Sequence, residues 1–439
     1  MLPRPDFALH RAALLDRLAD GEAVLLFATP HAVRNGDSEY RYRPDSDLYW
    51  LTGWTGPDAA IFLKRGEAPL TMFVQPRDPE QETWTGRRPG PEGARARYGA
   101  DAAYAIEALE KELPRLLLGV HTLHYGFGRS AEDDALVSAS IRKAERLARR
   151  SGVDVPETFH APARLLHELR LHKSDDELAV LRKAAALTTD AHLAAMRVAR
   201  PGRYEYEVEA AITHVFRAGG GDGPGYTPIV AGGDNANILH YHENDAVLGD
   251  GDLLLIDAGG EFALYTADVT RTFPVNGRFS EAQRRVYEVV LAAQEAAIAA
   301  AVVGARFLSV HEAAVRRLTE GMVALGLLEG DVDVLIANEA YKRFYMHGTS
   351  HWLGLDVHDA GRYARAGASR PLQPGMVITV EPGLYIPAAA EGVPEALRGI
   401  GVRIEDDVLI TKDGPEVLTA AAPRTVADIE AALAARSDA

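Results

Sequence analysis

Apolar and polar positions alternate differently in the two halves of this 439-residue chain. In the first half, helical spacing at 6–19 and again over DAAYAIEALEKELPRLLL up to Pro114 predicts two helices, and a third is predicted over 131–149. Short apolar runs predict strands at Ala23–Phe27, in DLYWLTGW, AAIFLK and LTMFVQP, and near His121–Tyr125. We therefore predict a mixed α/β N-terminal domain over residues 1–170.

The second half carries clearer helix signals. A Ser followed three residues later by Glu or Gln is typical of a capping box, which begins a helix. This pattern occurs at Ser174 with Glu177, Ser280 with Gln283, and Ser309 with Glu312. A further helix is predicted over about 205–218, ended by a glycine run. Strand-rich blocks at roughly 225–276 and 343–411 follow the two helix pairs. This repeated order predicts a duplicated half, and we assign 171–439 to one α+β domain.

Composition limits the class of protein and the kind of metal site. The chain is 47% hydrophobic and 25% charged, as is usual for globular proteins, and its net charge of −16 argues against nucleic-acid binding. It contains no cysteine, which excludes disulfides and thiolate ligands, so a metal would be held by oxygen and nitrogen atoms. No signal peptide or membrane-spanning run is evident, and we expect a cytoplasmic protein with no membrane partner.

Four carboxylates and one imidazole lie in short apolar segments bounded by Gly or Pro. They are Asp257 in LLLIDAGG, Asp268 in YTADVTRTF, His351 in MHGTSHWLGLDVHD, Glu381 in VITVEPGLYI and Glu405 in GVRIEDDVLI. Ionised carboxylates at the ends of buried strands are costly unless a cation compensates them. Two divalent cations would balance the four negative charges. The pattern therefore predicts a dinuclear metal site and hence a hydrolase.

Each of these residues taken alone also has an ordinary structural explanation. Asp257 and Asp268 could be turn residues, since aspartate is common beside Gly-rich turns. Glu405 could face solvent, and a single histidine such as His351 is usually structural. Glu381 is harder to explain in this way, because it ends a β-branched run.

Taken in order, the motifs IDAGG, DVTRTF, HGTSHWLGLDVHD, EPGLY and RIEDD resemble the pita-bread metallopeptidases, and within them the aminopeptidase P group. The resemblance covers nearly the whole chain, including RYRPDSDLYWLTGW. It implies an α/β N-terminal domain followed by an α+β pita-bread catalytic domain. It also implies removal of the first residue from peptides with proline at the second position, by a water or hydroxide shared between two metal ions.

The same resemblance implies a role for each ligand. Asp268 and Glu405 would bridge both metals, Asp257 would hold one of them, and His351 and Glu381 would complete the other. Glu381 would also serve as the general base. The metal implied is Mn²⁺, with Co²⁺, Fe²⁺ and Zn²⁺ as alternatives that the ligand types permit.

A further set of residues would contact the substrate or orient the ligands. By resemblance, His358 would bond the scissile carbonyl oxygen, His240 would lie near the leaving nitrogen and His347 would contact substrate. Tyr385 and Arg403 would complete the substrate site by orienting the ligands. Alone, His240 and His347 could be ordinary polar core or turn residues. Tyr385 and Arg403 could be purely structural.

Two N-terminal residues, Trp84 in QETWTGRRPG and Asp37 in RNGDSEY, match residues that line the site across subunits in tetrameric relatives. The resemblance therefore implies a homo-oligomer, either a dimer or a tetramer, in which residues 1–170 contribute to oligomerisation and to the substrate site. A Trp between polar residues on an apparent loop fits an interface anchor. A locally packed Trp84 is the alternative.

Several other functions share part of this pattern. Prolidase shares the ligands but cleaves dipeptides only. A methionine aminopeptidase would not need the long N-terminal domain, and a metal-free creatinase-like hydrolase would not need all five ligand positions. A catalytically inactive pita-bread protein that binds a partner is the remaining alternative, although such proteins usually lose ligands.

Overall fold

The computed structural model describes residues 4–436, which form two compact units. The first unit comprises Asp6–Leu169, and the second is formed by the chain from Arg170 onward.

The N-terminal unit is built on one mixed six-stranded sheet and a small hairpin. The sheet has the order β6-β5-β4-β1-β7-β8. Its apolar face packs against two of the helices, α5 and α6 in the following list. The strands are β1 (Glu22–Phe27), β2 (Val33–Asn35), β3 (Ser38–Glu39), β4 (Ala60–Lys64), β5 (Leu70–Val74), β6 (Ala102–Ala105), β7 (Thr122–His124) and β8 (Thr158–His160). The helices are α1 (Phe7–Arg17), α2 (Ser46–Thr52), α3 (Pro79–Thr85), α4 (Gly90–Tyr98), α5 (Leu109–Leu116), α6 (Ala131–Ala148) and α7 (Ala163–Arg170).

The strand predicted in DLYWLTGW is wrong, because this segment forms α2. Asp45 caps the helix by accepting a hydrogen bond from the Leu48 N–H at 2.9 Å. Gly53 ends it in the left-handed region, at φ 70°. A short apolar run alone cannot distinguish a buried helix from a buried strand. In this segment the capping residues Asp45 and Gly53 indicate a helix.

The long helix predicted up to Pro114 is also partly wrong. Its first residues form β6, which pairs in parallel with β5, and α5 begins only at Leu109. Pro114 lies inside α5, and the helix continues to Leu116. Pairing with a neighbouring strand has overridden the helical spacing of residues 102–105, which sequence periodicity alone could not reveal.

The second unit contains two helix pairs, each followed by short antiparallel strands. Its helices are α8 (Asp175–Val198), α9 (Glu205–Ala218), α10 (Glu281–Ala300), α11 (Phe307–Ala324), α12 (Val332–Ala337) and α13 (Val426–Ala434). Helix α8 packs on α9, and α10 packs on α11. The capping boxes at Ser174 and Ser280 are confirmed. The N-cap predicted at Ser309 is wrong, because the N-cap of α11 is Arg306, three residues earlier.

The strands of this unit form two main three-stranded sheets, β10-β11-β14 and β17-β20-β21. Their neighbours are the sheets β13-β12-β9, β18-β19 and β15-β16. In chain order the strands are β9 (Gly223–Pro224), β10 (Ile229–Gly232), β11 (Leu253–Asp257), β12 (Gly260–Phe262), β13 (Tyr265–Thr266), β14 (Thr270–Pro274), β15 (Ala364–Arg365), β16 (Ala368–Ser369), β17 (Val377–Val380), β18 (Gly383–Ile386), β19 (Ile400–Arg403), β20 (Asp406–Thr411) and β21 (Gly414–Val417).

The alternation of side chains along β11 shows how the sheet presents a polar group. Leu254 and Ile256 lie in the large core that the helices cover. Leu255 belongs to a separate small apolar cluster on the other face. Asp257 is two residues further on and therefore points in the same direction as Leu255. The helix-backed core thus fixes which face of the sheet carries the carboxylate.

Candidate metal centre

Strand pairing brings the first two carboxylates together. In the antiparallel pair β11–β14, Asp257 lies opposite Thr270, two residues beyond Asp268. Asp268 is 5% exposed, so its carboxylate has little access to water. Two acidic groups placed this close in a buried setting repel one another unless a proton or a cation intervenes.

The second main sheet supplies the other two carboxylates. Strands β17 and β20 pair so that Val380 lies opposite Asp406, which places Glu381 and Glu405 at the same end of the sheet. The Glu381 N–H donates to the Thr349 carbonyl at 2.9 Å. Glu405 is 1% exposed and accepts a hydrogen bond from the Thr270 hydroxyl at 2.7 Å. The two sheets are therefore joined at the site, because Thr270 is the first residue of β14 in the first sheet.

The hydroxyl of Tyr226 lies between the first two carboxylates. It is within hydrogen-bond distance of Asp257 Oδ1, at 2.6 Å, and of Asp268 Oδ1. Burial and the charge of Asp257 raise the pKa of Tyr226 well above its ordinary value, so the hydroxyl keeps its proton. A hydroxyl has one proton to donate, so the second carboxylate needs a proton or a cation of its own.

The RIEDD segment alternates in direction, as a strand should. Asp407 accepts hydrogen bonds from the Asp268 N–H at 3.2 Å and supports that ligand from behind. Asp406 points the other way and pairs with the fully buried Arg271 at 2.7 Å. The Arg271 guanidinium also donates to the Glu405 carbonyl. Residues on both faces of this segment thus hold the backbone around Glu405 in place.

The pKa values show an excess of negative charge at the site. Burial and the neighbouring carboxylates raise the pKa of Asp268 and raise that of Glu405 well above its ordinary value. Burial raises the pKa of Glu381 to about 7, even though the charge of His351 opposes the shift. Burial acts in the same direction on Asp257, but Arg403 and the Tyr226 hydroxyl outweigh it and lower the pKa of this residue. One arginine therefore compensates only part of the cluster.

The donor set fits a divalent cation. One ligand atom each from Asp268, His351 and Glu405 lies within 4.8 Å of the other two. His351 Nε2 faces the carboxylates, 3.4 Å from Asp268 and 3.6 Å from Glu381. Its Nδ1 lies 3.0 Å from the Trp352 carbonyl, a contact that orients the ring and leaves Nε2 available to a metal. Burial opposes protonation of this ring, yet the bond to Asp268 and the charge of Glu381 raise the His351 pKa to about 9.

A chain of hydrogen bonds connects Asp257 with His347. Arg403 donates to Asp257 at 2.7 Å and to the Tyr385 hydroxyl at 3.0 Å. That hydroxyl lies 2.8 Å from His347 Nε2, and His347 Nδ1 lies 2.8 Å from the Gly348 carbonyl. Only Nδ1 faces a pure acceptor, so the neutral ring carries its proton there. Tyr385 is 1% exposed and orients its neighbours from behind the cavity.

We expect His347 to remain neutral in acid, with a measurable effect on stability. Burial and the charge of Arg403 lower its pKa to about 3. Between about 3 and the ordinary 6.5, the unfolded chain binds more protons, so this contribution to stability is lost as the pH falls through that window. The variant His347→Gln should therefore lose less thermal stability between pH 6.5 and pH 4 than the wild type. Parallel curves of melting temperature against pH would contradict this assignment.

Nine of the twelve predicted site residues line one cavity of about 540 Å³ in the second unit. His358 lies beside His351, with ring centroids 4.5 Å apart. The walls combine imidazoles with apolar side chains, as in a pocket for a small peptide. The predicted residues that line it are Asp257, Asp268, His351, Glu381, Glu405, His240, His347, His358 and Arg403.

The two N-terminal residues lie in the other unit. Asp37 is exposed in the turn between β2 and β3. Trp84 was expected on a loop, which is wrong, because it lies in α3. It is 83% exposed, so it is not packed locally.

Sequence reasoning missed Tyr226 and Asp407 as parts of the site. Asp407 could have been found, because it is two residues from Glu405 on a predicted strand and must share its face. Tyr226 gave no comparable signal. Its place depends on the register of β10 against β11, in which Ile229 lies opposite Asp257.

Comparison with known proteins agrees with this geometry. The chain matches metallopeptidase family M24 over residues 179–412 and the aminopeptidase P N-terminal domain over residues 7–124. It is 44% identical to the Xaa-Pro aminopeptidase of Escherichia coli K12, covering 99% of this chain and 98% of that protein.

Solved structures show the same likeness. A Pseudomonas aeruginosa aminopeptidase is 48% identical and superposes with a TM-score of 0.96, covering 99% of both chains. The Zn-substituted E. coli aminopeptidase P in complex with product is 44% identical with a TM-score of 0.94, covering 99% of this chain and 98% of that one. The predicted fold class, an α/β domain followed by a pita-bread domain, is confirmed. Among the described helices, none is both long and apolar enough to cross a membrane.

Proposed function

Because the chain belongs to metallopeptidase family M24, we propose that it removes the N-terminal residue from peptides that have proline at the second position. The observation that carries this proposal is the convergence of Asp257, Asp268, His351, Glu381 and Glu405 on one cavity. The enzyme is a hydrolase that depends on a divalent metal. Neither prolidase nor an inactive binding protein is favoured, since all five ligand positions are filled and the relatives are named Xaa-Pro aminopeptidases.

The metal content belongs to the proposal. Two divalent ions, most simply Mn²⁺, would be held by five residues, which are Asp257, Asp268, His351, Glu381 and Glu405. Four oxygen ligands and one imidazole suit Mn²⁺, although Co²⁺, Fe²⁺ or Zn²⁺ could use the same set. Metal ions bound here would act as Lewis acids, lowering the pKa of a water and polarising the scissile carbonyl.

The remaining residues handle protons and hold the substrate. Glu381 would accept the proton of the attacking water and serve as the general base. Burial lowers the pKa of His358, which favours the neutral ring, and a neutral imidazole can donate its N–H to the carbonyl oxygen. His240 lies at the leaving nitrogen, and His347 contacts the substrate with its orientation fixed by Tyr385.

Proline selectivity follows from the chemistry of the bond. An Xaa-Pro amide has no N–H, and its ring restricts the backbone, so recognition must come from shape and apolar contact. The cavity offers Ile229, Leu239 and Val357 for this purpose. The substrate's free amine would lie near Asp257, which confines cleavage to the first residue.

The N-terminal domain, residues 1–170, completes the proposal. Its exposed Trp84 and Asp37 would contribute to the substrate site of another subunit in a dimer or tetramer. An aromatic side chain that is 83% exposed is costly in water and is a typical interface anchor. We place the enzyme in the cytoplasm.

Peptide hydrolysis tests the proposed activity. The protein loaded with Mn²⁺ should release arginine from Arg-Pro-Pro at least about tenfold faster than from Arg-Ala-Ala, because the apolar pocket accepts the ring. A chelator should stop the reaction, and added Mn²⁺ should restore it. Cleavage of the dipeptide Arg-Pro without cleavage of Arg-Pro-Pro would identify a prolidase and refute the proposal.

A further inference from the structure

The position of His240 depends on the loop that carries it. This loop, residues 233–246, follows β10 and is here called the His240 loop. Within residues 4–436 no hydrogen bond or ion pair holds the His240 ring. Its ring contact is with His242, at 6.2 Å between centroids. Because the side chain has no polar support of its own, the backbone of the loop must set its position.

Glu205, the first residue of α9, accepts hydrogen bonds from several parts of this loop with its one carboxylate. Oε1 accepts from the Gly232 N–H at 2.7 Å and from the Asn235 amide at 3.1 Å. Oε2 accepts from the Tyr241 hydroxyl at 2.8 Å and from the Ala246 N–H at 2.9 Å. These donors come from the residue before the loop, from its middle and from its end, and Tyr241 is adjacent to His240. One carboxylate therefore connects every part of the loop.

The chemistry of this contact makes the carboxylate hard to replace. Glu205 is 0% exposed, and in the described part of the chain its partners are neutral donors. Hydrogen bonds to an ionised acceptor are stronger than bonds between neutral groups, and a negative charge is favourable at the N-terminus of a helix. A glutamine would turn an NH₂ group towards two donors and leave them unsatisfied.

Asn244 provides a second attachment near the end of the loop. It is 1% exposed and adopts φ 47°. Its side chain accepts from the Val230 N–H at 3.0 Å and donates to the Pro228 carbonyl at 2.9 Å. With this end fixed to β10, the contacts to Glu205 determine how the part around His240 is arranged.

We infer that Glu205 is a positioning residue, which acts through His240 by holding the His240 loop against the substrate. The inference rests on the proposed function, in which His240 lies at the leaving nitrogen. Glu205 does not line the cavity and does not contact the ligand cluster. A displacement of about 1 Å of a group in contact with substrate can reduce turnover by up to about 10²-fold, so a loosened loop should be costly.

A double-mutant cycle tests this role. Glu205→Gln in the Mn²⁺-loaded protein should lower kcat/KM for Arg-Pro-Pro by about tenfold and leave the metal content unchanged. In a His240→Ala background the same substitution should change kcat/KM by less than about twofold, because the group that it positions is gone. Glu207→Gln is the matched control. It lies in the same helical turn but pairs with Arg203, at 2.6 Å, and should behave as wild type.

The possible outcomes separate the inference from the proposed function. An equal loss in both backgrounds, or no loss in the first, would overturn the positioning role. If Glu205→Gln does not fold, Tyr241→Phe removes one donor only and should show a smaller loss that also vanishes with His240→Ala. A wild type that does not cleave Arg-Pro-Pro would overturn the proposed function, and with it this inference, whereas additive losses in an active wild type would overturn the inference alone.

Discussion

Replacing Glu405 with glutamine should abolish both hydrolysis and metal binding. The side chain is 1% exposed, and the Thr270 hydroxyl holds one of its oxygens at 2.7 Å. An amide at this position can present one neutral oxygen at most, and its NH₂ group would face the metal ions or Asp268. The site would balance four carboxylates against two divalent cations. The substitution removes one of these negative charges, and the other three carboxylates cannot replace it.

The stability of the same variant distinguishes a ligand from a structural residue. In the metal-free protein the pKa of Glu405 is raised well above its ordinary value by burial and by Asp268, so the residue resembles a protonated acid. The metal-free variant should therefore melt no lower than the metal-free wild type. Added Mn²⁺ should raise the melting temperature of the wild type but not that of the variant.

The control for this experiment is Glu416→Gln, at an exposed position on β21 that pairs with Arg182. It makes the same chemical change outside the site and should keep full metal content and activity. Asp268→Asn should behave like Glu405→Gln. Unchanged metal in elemental analysis of both site variants would refute their assignment as ligands.

Replacing His358 with alanine should reduce turnover strongly while the metal stays bound. His358 adjoins His351 through a ring contact, but it is not among the converging ligands. Loss of one group that stabilises a developing oxyanion typically costs about 10²–10³-fold in kcat. We therefore expect kcat for Arg-Pro-Pro to fall by roughly 10²-fold, with metal content at the wild-type level.

Two results would count against this role for His358. Near-normal turnover would remove it from the mechanism, and loss of metal would make it a ligand. His214→Ala, at an exposed position on α9, is the matched histidine control and should have no effect.

The carboxylates could be identified from the sequence because charged side chains are unexpected in buried, apolar segments. Asp257 ends the otherwise apolar β11, and Glu381 directly follows the largely apolar β17. An ionised group in either position requires a physical reason. The helix pairs were predictable for a similar reason. Helices such as α8 and α10 begin with capping boxes whose two hydrogen bonds are both local.

What the sequence could not supply was long-range pairing. Tyr226 reaches the site only because β10 pairs with β11 in one register, and residues 102–105 become a strand only because β5 lies beside them. The same limit applies to Glu205, whose donors lie 27 to 41 residues away along the chain. The segment around Tyr49 is a different case, because its caps were visible in the sequence and were outweighed by its apolar run.

Anomalous X-ray diffraction from crystals soaked in Mn²⁺ would test the metal site most directly. We predict two peaks in the cavity, each in contact with both Asp268 and Glu405, one also in contact with Asp257 and the other with His351 and Glu381. If the soaked crystals show no peak among these carboxylates, or a single ion held by other residues, the dinuclear metallopeptidase account is wrong.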